Sequence, residues 1–367
     1  MPVSQPKKIL ITPLDWGAGH TTRCIPLAAH LLQTGHKPIV AGNEAQMAII
    51  DQYFNGCIDT IYIAGYNVTY SGINKVAQAG LLLQTPRLLK TIGQENIRLK
   101  EIVKDLKPDG IISDNRYGVY HAHVPSVIMT HQLRIQSGLG NTVDNVLQRM
   151  HYRYLNRFDA TWVVDTEASP GLAGTLSHPA TMPDRYKYIG LLSRFADVAD
   201  AAQKEEGPIL MLISGPEPQR TEFSRMLWQQ ALKHNGKVIF AEGSESVTVP
   251  ADIPAHITYH KRIDGPALAE AIKSASMVVC RSGYSTLMDL RAINKPAIVI
   301  PTPGQTEQQY LGRMQQDSGV FYSTMQKGFD LQRTLKEAAV FPFHKTNSAE
   351  AFSAFRTVVD NWVNSLP

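Results

Sequence analysis

Cysteine is scarce. Cys24, Cys57 and Cys280 are the whole supply, too few and too scattered for a disulfide framework or a zinc site. Long apolar runs are also missing. Hydrophobic stretches such as Met277–Cys280 and Ala297–Ile300 have strand length, far short of the roughly 18 residues of a membrane-spanning helix. The opening MPVSQPKKILITPLDWG has two lysines before a short apolar run and lacks the longer core and small-residue cleavage site of a signal peptide. Charged residues make up only 19%, and the net charge of +4 suits an anionic ligand or surface without the clustered basic residues of a nucleic-acid binder. There is no Gly-Lys-Ser/Thr, which excludes a Walker loop, and no Asp-x-Asp metal motif. The 22 prolines are scattered, so the chain is neither collagen-like nor a proline-rich linker. These absences predict a cytoplasmic, reduced, soluble protein with no cofactor and no nucleic-acid partner.

What is present is an alternation of strands and helices. With 367 residues and 43% hydrophobic content, two domains are expected. The runs Lys8–Pro13, His36–Ala41, Asp109–Ser113, Val124–Thr130 and Ala160–Val164 read as buried strands. Helical spacing marks Thr21–Gln33 and Glu44–Gln52, and residues 76–107 read as one or two helices divided at Pro86. Leu191–Gly207 is polar and alanine-rich, as a linker would be. The rhythm then restarts with strands at Pro208–Ile213, Lys237–Ala241, Ile257–His260, Met277–Cys280 and Pro296–Ile300, and an amphipathic helix over Thr221–His234. A final helix over Ser348–Ser365 puts Phe352, Phe355, Val358, Val359 and Trp362 on one face. This is an α/β chain of two Rossmann-like domains: 1–190, 191–346, and a C-terminal helix over 347–367 returning to the first. In such sheets ligands lie outside the carboxyl ends of the strands.

The strand ends carry the polar chemistry. After the first strand comes Leu14-Asp15-Trp16-Gly17-Ala18-Gly19-His20, a glycine turn that allows close backbone approach and places a histidine with a near-neutral pKa where it can take a proton. It is not a dinucleotide fingerprint, because Thr22 stands at the third glycine position. Asp114 and His131 each follow a strand; with Asp15 they are further candidates for base, orienting group or acceptor contact. In the second half, Ser214-Gly215 opens a helix and Arg220 adds charge. Arg281-Ser282-Gly283-Tyr284-Ser285-Thr286 opens another, a plausible diphosphate cradle, with Asp289 one turn on and placed for ribose hydroxyls. Gln305, Glu307, Gln308 and Gln309 suit recognition of sugar hydroxyls. Each position also has an ordinary structural use, as a turn, a helix-dipole acid or a solvated loop residue.

Ser276–Thr286 with Asp289 and Gln308-Gln309 resembles the donor site of MurG-type UDP-N-acetylglucosamine transferases of glycosyltransferase family 28. The nineteen-residue step from Asp289 to Gln308 is the most specific part of the likeness. The resemblance implies a GT-B fold with an interdomain cleft, and an N-terminal domain that binds the acceptor. It implies uracil held near Arg262-Ile263-Asp264, phosphates at Arg281–Thr286, ribose on Asp289 where the family has a glutamate, and the donor sugar read by Gln308 and Gln309. It further implies that Gly17 and Gly19 shape a shortened first glycine loop. The reaction would be a single inverting, metal-independent transfer, with His20 as base and Arg281 beside the leaving diphosphate. The chain departs from the family at Ser214-Gly215-Pro216-Glu217 and at Leu14-Asp15-Trp16, so the family's lipid-linked acceptor does not carry over and the acceptor is unassigned.

Gly17-x-Gly19-His20-x-x-Arg23 also resembles nucleotide-sugar hydrolases of the PseG type, in which the histidine would activate water. A sugar-nucleotide epimerase and a non-catalytic sugar-nucleotide binder are weaker readings. Residues 76–107 combine leucines with basic residues. They read either as a peripheral contact with the inner membrane, as in the resembling family, or as helices packed on the sheet with a solvated basic face.

Overall fold

A computed structural model describes residues 5–66, 85–198, 206–263, 265–345 and 349–367, with the side chains of 85–88 excepted. The chain divides into two compact units, Met1–Arg194 with Ala349–Pro367, and Phe195–Ser348.

The first unit is built on a fully parallel seven-stranded sheet of order β3-β2-β1-β4-β5-β6-β7. Its strands are β1 Lys8–Pro13, β2 Lys37–Gly42, β3 Asp59–Tyr62, β4 Gly110–Asp114, β5 Ser126–Thr130, β6 Ala160–Val163 and β7 Tyr186–Tyr188. Ile9, Leu10 and Ile11 of β1 and Ile111 and Ile112 of β4 have no exposed surface, as expected for central strands covered on both faces. The helices are α1 Ala18–Gln33, α2 Glu44–Phe54, α3 Thr85–Leu106 and α4 Asn141–Leu155. Helix α3 lays Leu99 and Ile102 against Leu10 and Ile111. Its Ile92 is buried, while Leu89 and Ile97 are exposed; Leu81, Leu82 and Leu83 lie outside the described residues. The C-terminal helix, α10 Ala349–Asn364, belongs to this unit. Trp362 packs edge-on against Trp162 at 5.4 Å, and His30 pairs with Asp360 at 2.7 Å.

The second unit repeats the architecture with six parallel strands in the order β10-β9-β8-β11-β12-β13. These are β8 Ile209–Leu212, β9 Val238–Ala241, β10 Ile257–His260, β11 Met277–Cys280, β12 Ala297–Val299 and β13 Tyr322–Ser323. Between them run α5 Gln219–Lys233, α6 Gly265–Ser274, α7 Tyr284–Ala292, α8 Thr306–Asp317 and α9 Leu331–Ala339. Met211, Phe223, Phe240, Val279 and Ile298 form the centre of its core.

Three differences from the sequence reading have physical causes. Helix α1 starts at Ala18, three residues before its expected start, because Gly17 takes a φ of 84° and turns the chain directly into the helix. His20 is therefore a first-turn helical residue. The expected linker is packed where it begins: Leu191 and Leu192 are buried, and the Leu191 N–H donates to the Ala351 carbonyl at 2.8 Å. Helix α4 has no counterpart in the sequence reading because its inward positions are largely polar, with Asp144, Gln148 and His151 buried alongside Leu155.

Candidate functional site

Each sheet has one point where the strand order reverses direction. In the first unit it lies between β1 and β4, and in the second between β8 and β11. At such a point the connections leave on opposite sides and open a crevice at the carboxyl ends of the strands.

In the first unit this point gathers three of the sequence candidates and adds a residue that sequence reasoning used only as part of a motif. His20 Nδ1 lies 3.0 Å from Asp114 Oδ2. Asp114 ends β4 and is fully buried, while the His20 side chain keeps 15% exposure. Arg23, one helical turn after His20, forks onto the same carboxylate: its Nε donates to Oδ2 at 2.8 Å and an Nη donates to Oδ1. Its other Nη lies 3.2 Å from Nδ1 of His131, which follows β5. The Cys24 thiol is 3.8 Å from Asp114 Oδ2. Burial alone would raise the Asp114 pKa, but the charges of Arg23 and His20 override it and hold the carboxyl well below the usual range. Burial lowers the His20 pKa, partly opposed by Asp114 and reinforced by Arg23. The imidazole is thus neutral at neutral pH, and its Nδ1–H is committed to a permanent carboxylate. The spacing of His20 and Arg23, three residues apart on one helix, was the sequence signal for the Arg23 contact.

Asp15 has different work. Its Oδ1 accepts the Tyr66 backbone N–H at 2.9 Å, and its carboxylate occupies the space a Cβ on Gly65 would fill. It ties the first loop to the residues that follow β3. Gly17 is exposed, and a Cβ there would meet nothing within 4 Å; Gly19 is half-buried.

In the second unit Ser214 and Gly215 follow β8, and Ser282 and Gly283 follow β11, so both loops flank the reversal point. Open space surrounds both glycines: a Cβ at either would touch nothing within 4 Å, and Gly215 adopts a φ of 115°. The residues that precede α7, α8 and α1, namely Gly283, Gln305 and Gly17, provide no side-chain cap. Helices α2 and α9 are capped by the side chains of Asn43 and Asp330. Ser285, Thr286 and Asp289 sit half-buried on the first turns of α7. Arg262 and Ile263 follow the edge strand β10 and are half-buried; Asp264 lies outside the described residues.

Several residues expected to face the ligand make hydrogen bonds and ion pairs within the fold. Arg281 is 2% exposed. It stacks on Phe223 at 3.7 Å and donates to the carbonyls of Ile300, Pro301 and Gln219. Burial pushes its pKa down to about 10, so it remains charged. Its two Nη atoms reach three backbone oxygens and so fasten the loops after β11 and β12 to the start of α5. Arg220 is paired with Glu217 and with Glu242, the latter at 3.2 Å, so two carboxylates share its charge. Ser282 is fully buried and donates to the Gln308 carbonyl at 2.8 Å. The Gln308 side chain accepts the Thr302 N–H at 2.9 Å and donates to Gln305 Oε1 at 2.6 Å, locking the turn into α8. Gln309 is exposed.

Among the described residues no cluster of three or more His, Cys, Asp or Glu could hold a metal ion. Nor is any described helix long and apolar enough to cross a membrane.

Comparison with known proteins bears on the family and the fold. Residues 239–358 match the glycosyltransferase family 28 C-terminal domain. An uncharacterized glycosyltransferase of Methanosarcina acetivorans is 21% identical, covering 85% of this chain and 84% of its own. The UDP-N-acetylglucosamine--N-acetylmuramyl-(pentapeptide) pyrophosphoryl-undecaprenol N-acetylglucosamine transferase of Haemophilus ducreyi is 26% identical, covering 83% and 81%. Among solved structures, the glycotransferase of kitacinnamycin superposes with a TM-score of 0.62 at 14% identity, over 99% of this chain and 100% of that one. The fold is GT-B, and the family 28 likeness is carried by residues 239–358.

Proposed function

We propose that this family 28 glycosyltransferase moves a hexose, N-acetylglucosamine or a close relative, from a UDP-sugar to an acceptor hydroxyl, in one inverting displacement with His20 as general base. The observation that carries the reading is the 3.0 Å contact between His20 Nδ1 and Asp114 at the reversal point of the first sheet. Because Nδ1 holds its proton for Asp114, the Nε2 lone pair is the basic site. It takes the proton of the acceptor hydroxyl as that oxygen bonds to the anomeric carbon. The bond from that carbon to the diphosphate breaks, and UDP leaves with the electron pair.

The donor belongs to the second unit. The α7 N-terminus and the Gly215 and Gly283 loops offer backbone N–H groups and a positive dipole end to the diphosphate. Asp289 is the ribose partner, Arg262 and Ile263 border the uracil, and Gln309 with Glu307 faces the sugar. Arg281, Ser282 and Gln308 hold these loops in place. The GT-B architecture supports this division of labour.

The hydrolase reading is supported by the same Gly17–Arg23 motif, since the His20 base would serve water equally. The separating experiment measures UDP release from UDP-N-acetylglucosamine with and without added acceptor alcohols. Transfer predicts release that rises with acceptor and a glycosylated product. Equal release with free sugar as the only product contradicts transfer and establishes hydrolysis.

A peripheral membrane contact through 76–107 remains a secondary part of the reading, supported by exposed Leu89 and Ile97 beside Lys90, Arg98 and Lys100. Co-sedimentation with anionic vesicles at low and physiological salt tests it. Loss of binding on changing Leu81 and Leu83 to Ser supports it; no binding at either salt removes it.

A further inference from the structure

We infer that Arg23 is a positioning residue that fixes two imidazoles in opposite tautomers, so that at Nε2 His20 only accepts a proton and His131 only donates one. The inference follows from the donor inventory. A guanidinium has N–H donors and no acceptor, so the contact from Arg23 Nη to His131 Nδ1 at 3.2 Å makes that nitrogen the acceptor. Neutral His131 therefore carries its proton at Nε2. The other two contacts of Arg23 occupy both oxygens of Asp114. An ionised carboxylate only accepts, so His20 Nδ1, at 3.0 Å from Oδ2, carries the proton and its Nε2 the lone pair.

The two rings come from different elements, α1 and the end of β5, and both hang on one guanidinium–carboxylate pair. Arg23 is 2% exposed and Asp114 fully buried, so water does not compete for these contacts. The groups that face the pair include His20 and Cys24 from α1 and His131 after β5. A lysine cannot replace the arrangement, because one ammonium on a flexible stem does not hold a carboxylate with two parallel donors while aiming a third at an imidazole. The two Nε2 atoms then offer opposite chemistry: that of His20 takes a proton from an acceptor, and that of His131 gives a hydrogen bond to a lone pair. This catalytic consequence rests on His20 being the base, whereas the tautomers do not.

The test is a long-range ¹H–¹⁵N spectrum of the full chain labelled in histidine nitrogen, at neutral pH without substrate. His20→Gln and His131→Gln spectra assign the signals. The wild-type protein should show His20 as the Nδ1–H form and His131 as the Nε2–H form. In Arg23→Gln, His131 should lose its single tautomer and turnover should fall about 100-fold at unchanged donor KM, the scale of a misplaced reacting group. The acid limb of its rate profile should move to higher pH, because the charge that helps to hold the His20 pKa down is gone. Arg23→Lys should keep the acid limb without restoring the His131 tautomer. A wild-type His131 protonated at Nδ1 overturns the inference, even if Arg23→Gln does not fold; so does an unchanged His131 tautomer in a folded Arg23→Gln. The expected spectra in a protein inactive on every UDP-sugar would overturn the transferase reading and leave the tautomer assignment standing.

Discussion

At the scale of single residues, the proposed base is made by its neighbours. Burial lowers the His20 pKa from its ordinary 6.5, Asp114 opposes that shift, and Arg23 adds to it. The free-enzyme rate profile should therefore show its acid limb below pH 6.5, because activity is lost only when the imidazole gains a proton. His20→Ala should reduce turnover by roughly 10²–10⁴-fold while UDP affinity stays within about twofold, the pattern of a group that acts on the proton and does not bind the donor. Steady-state kinetics alongside calorimetry checks both halves; near-wild-type turnover would move the base elsewhere. Arg281 makes the contrasting case. Its three carbonyl acceptors and the Phe223 ring predict that Arg281→Met costs about 3 kcal/mol of stability, since buried acceptors lose their donor. Urea unfolding measures this. A variant of wild-type stability with specifically weakened UDP binding would return Arg281 to the diphosphate.

At the scale of elements, legibility in the sequence followed the hydrophobic pattern. The central strands β1, β4, β8 and β11 are continuous apolar runs and were readable, as were α1, α5 and α10. Strand β3 was not, because its residues are mostly half-exposed and it opens with Asp59. Helix α4 was hidden by its buried Asp144, Gln148 and His151, which reverse the usual polarity of an inward face. The candidate site was readable as positions, since strand ends and glycine turns announce themselves. The direction of each side chain was not. Nothing in the spacing distinguishes an Arg281 that meets a phosphate from one that meets the carbonyls of Ile300 and Pro301. The docking of α10 is open to test at Gly110, where an added Cβ would lie 2.6 Å from the Trp362 ring and 3.0 Å from Leu366. Gly110→Ala should destabilise the protein by about 1–3 kcal/mol through overpacking. In a double-mutant cycle Trp362→Leu should recover part of that loss, whereas additive effects would mean that the two residues do not press on each other.

At the scale of the whole molecule, two sheets of the same parallel design each carry polar groups at the point where strand order reverses, and the two sets differ in kind. The first unit concentrates titratable groups: His20, Asp114, His131 and the arginine that binds them. The second sets the uncapped start of α7 beside the open loops at Gly215 and Gly283, with Arg220 already paired to Glu217 and Glu242. Under the proposed function the first set serves as base and the second as donor site, and nucleotide binding is the direct test. Calorimetric titration of UDP, dTDP, GDP and CMP into the full-length protein and into Asp289→Ala decides the matter. UDP should bind the wild-type chain in preference to the other three, and Asp289→Ala should weaken it by about 1–3 kcal/mol through lost ribose hydrogen bonds. Preference for another nucleotide, or undiminished UDP affinity in a folded Asp289→Ala, would contradict the assignment.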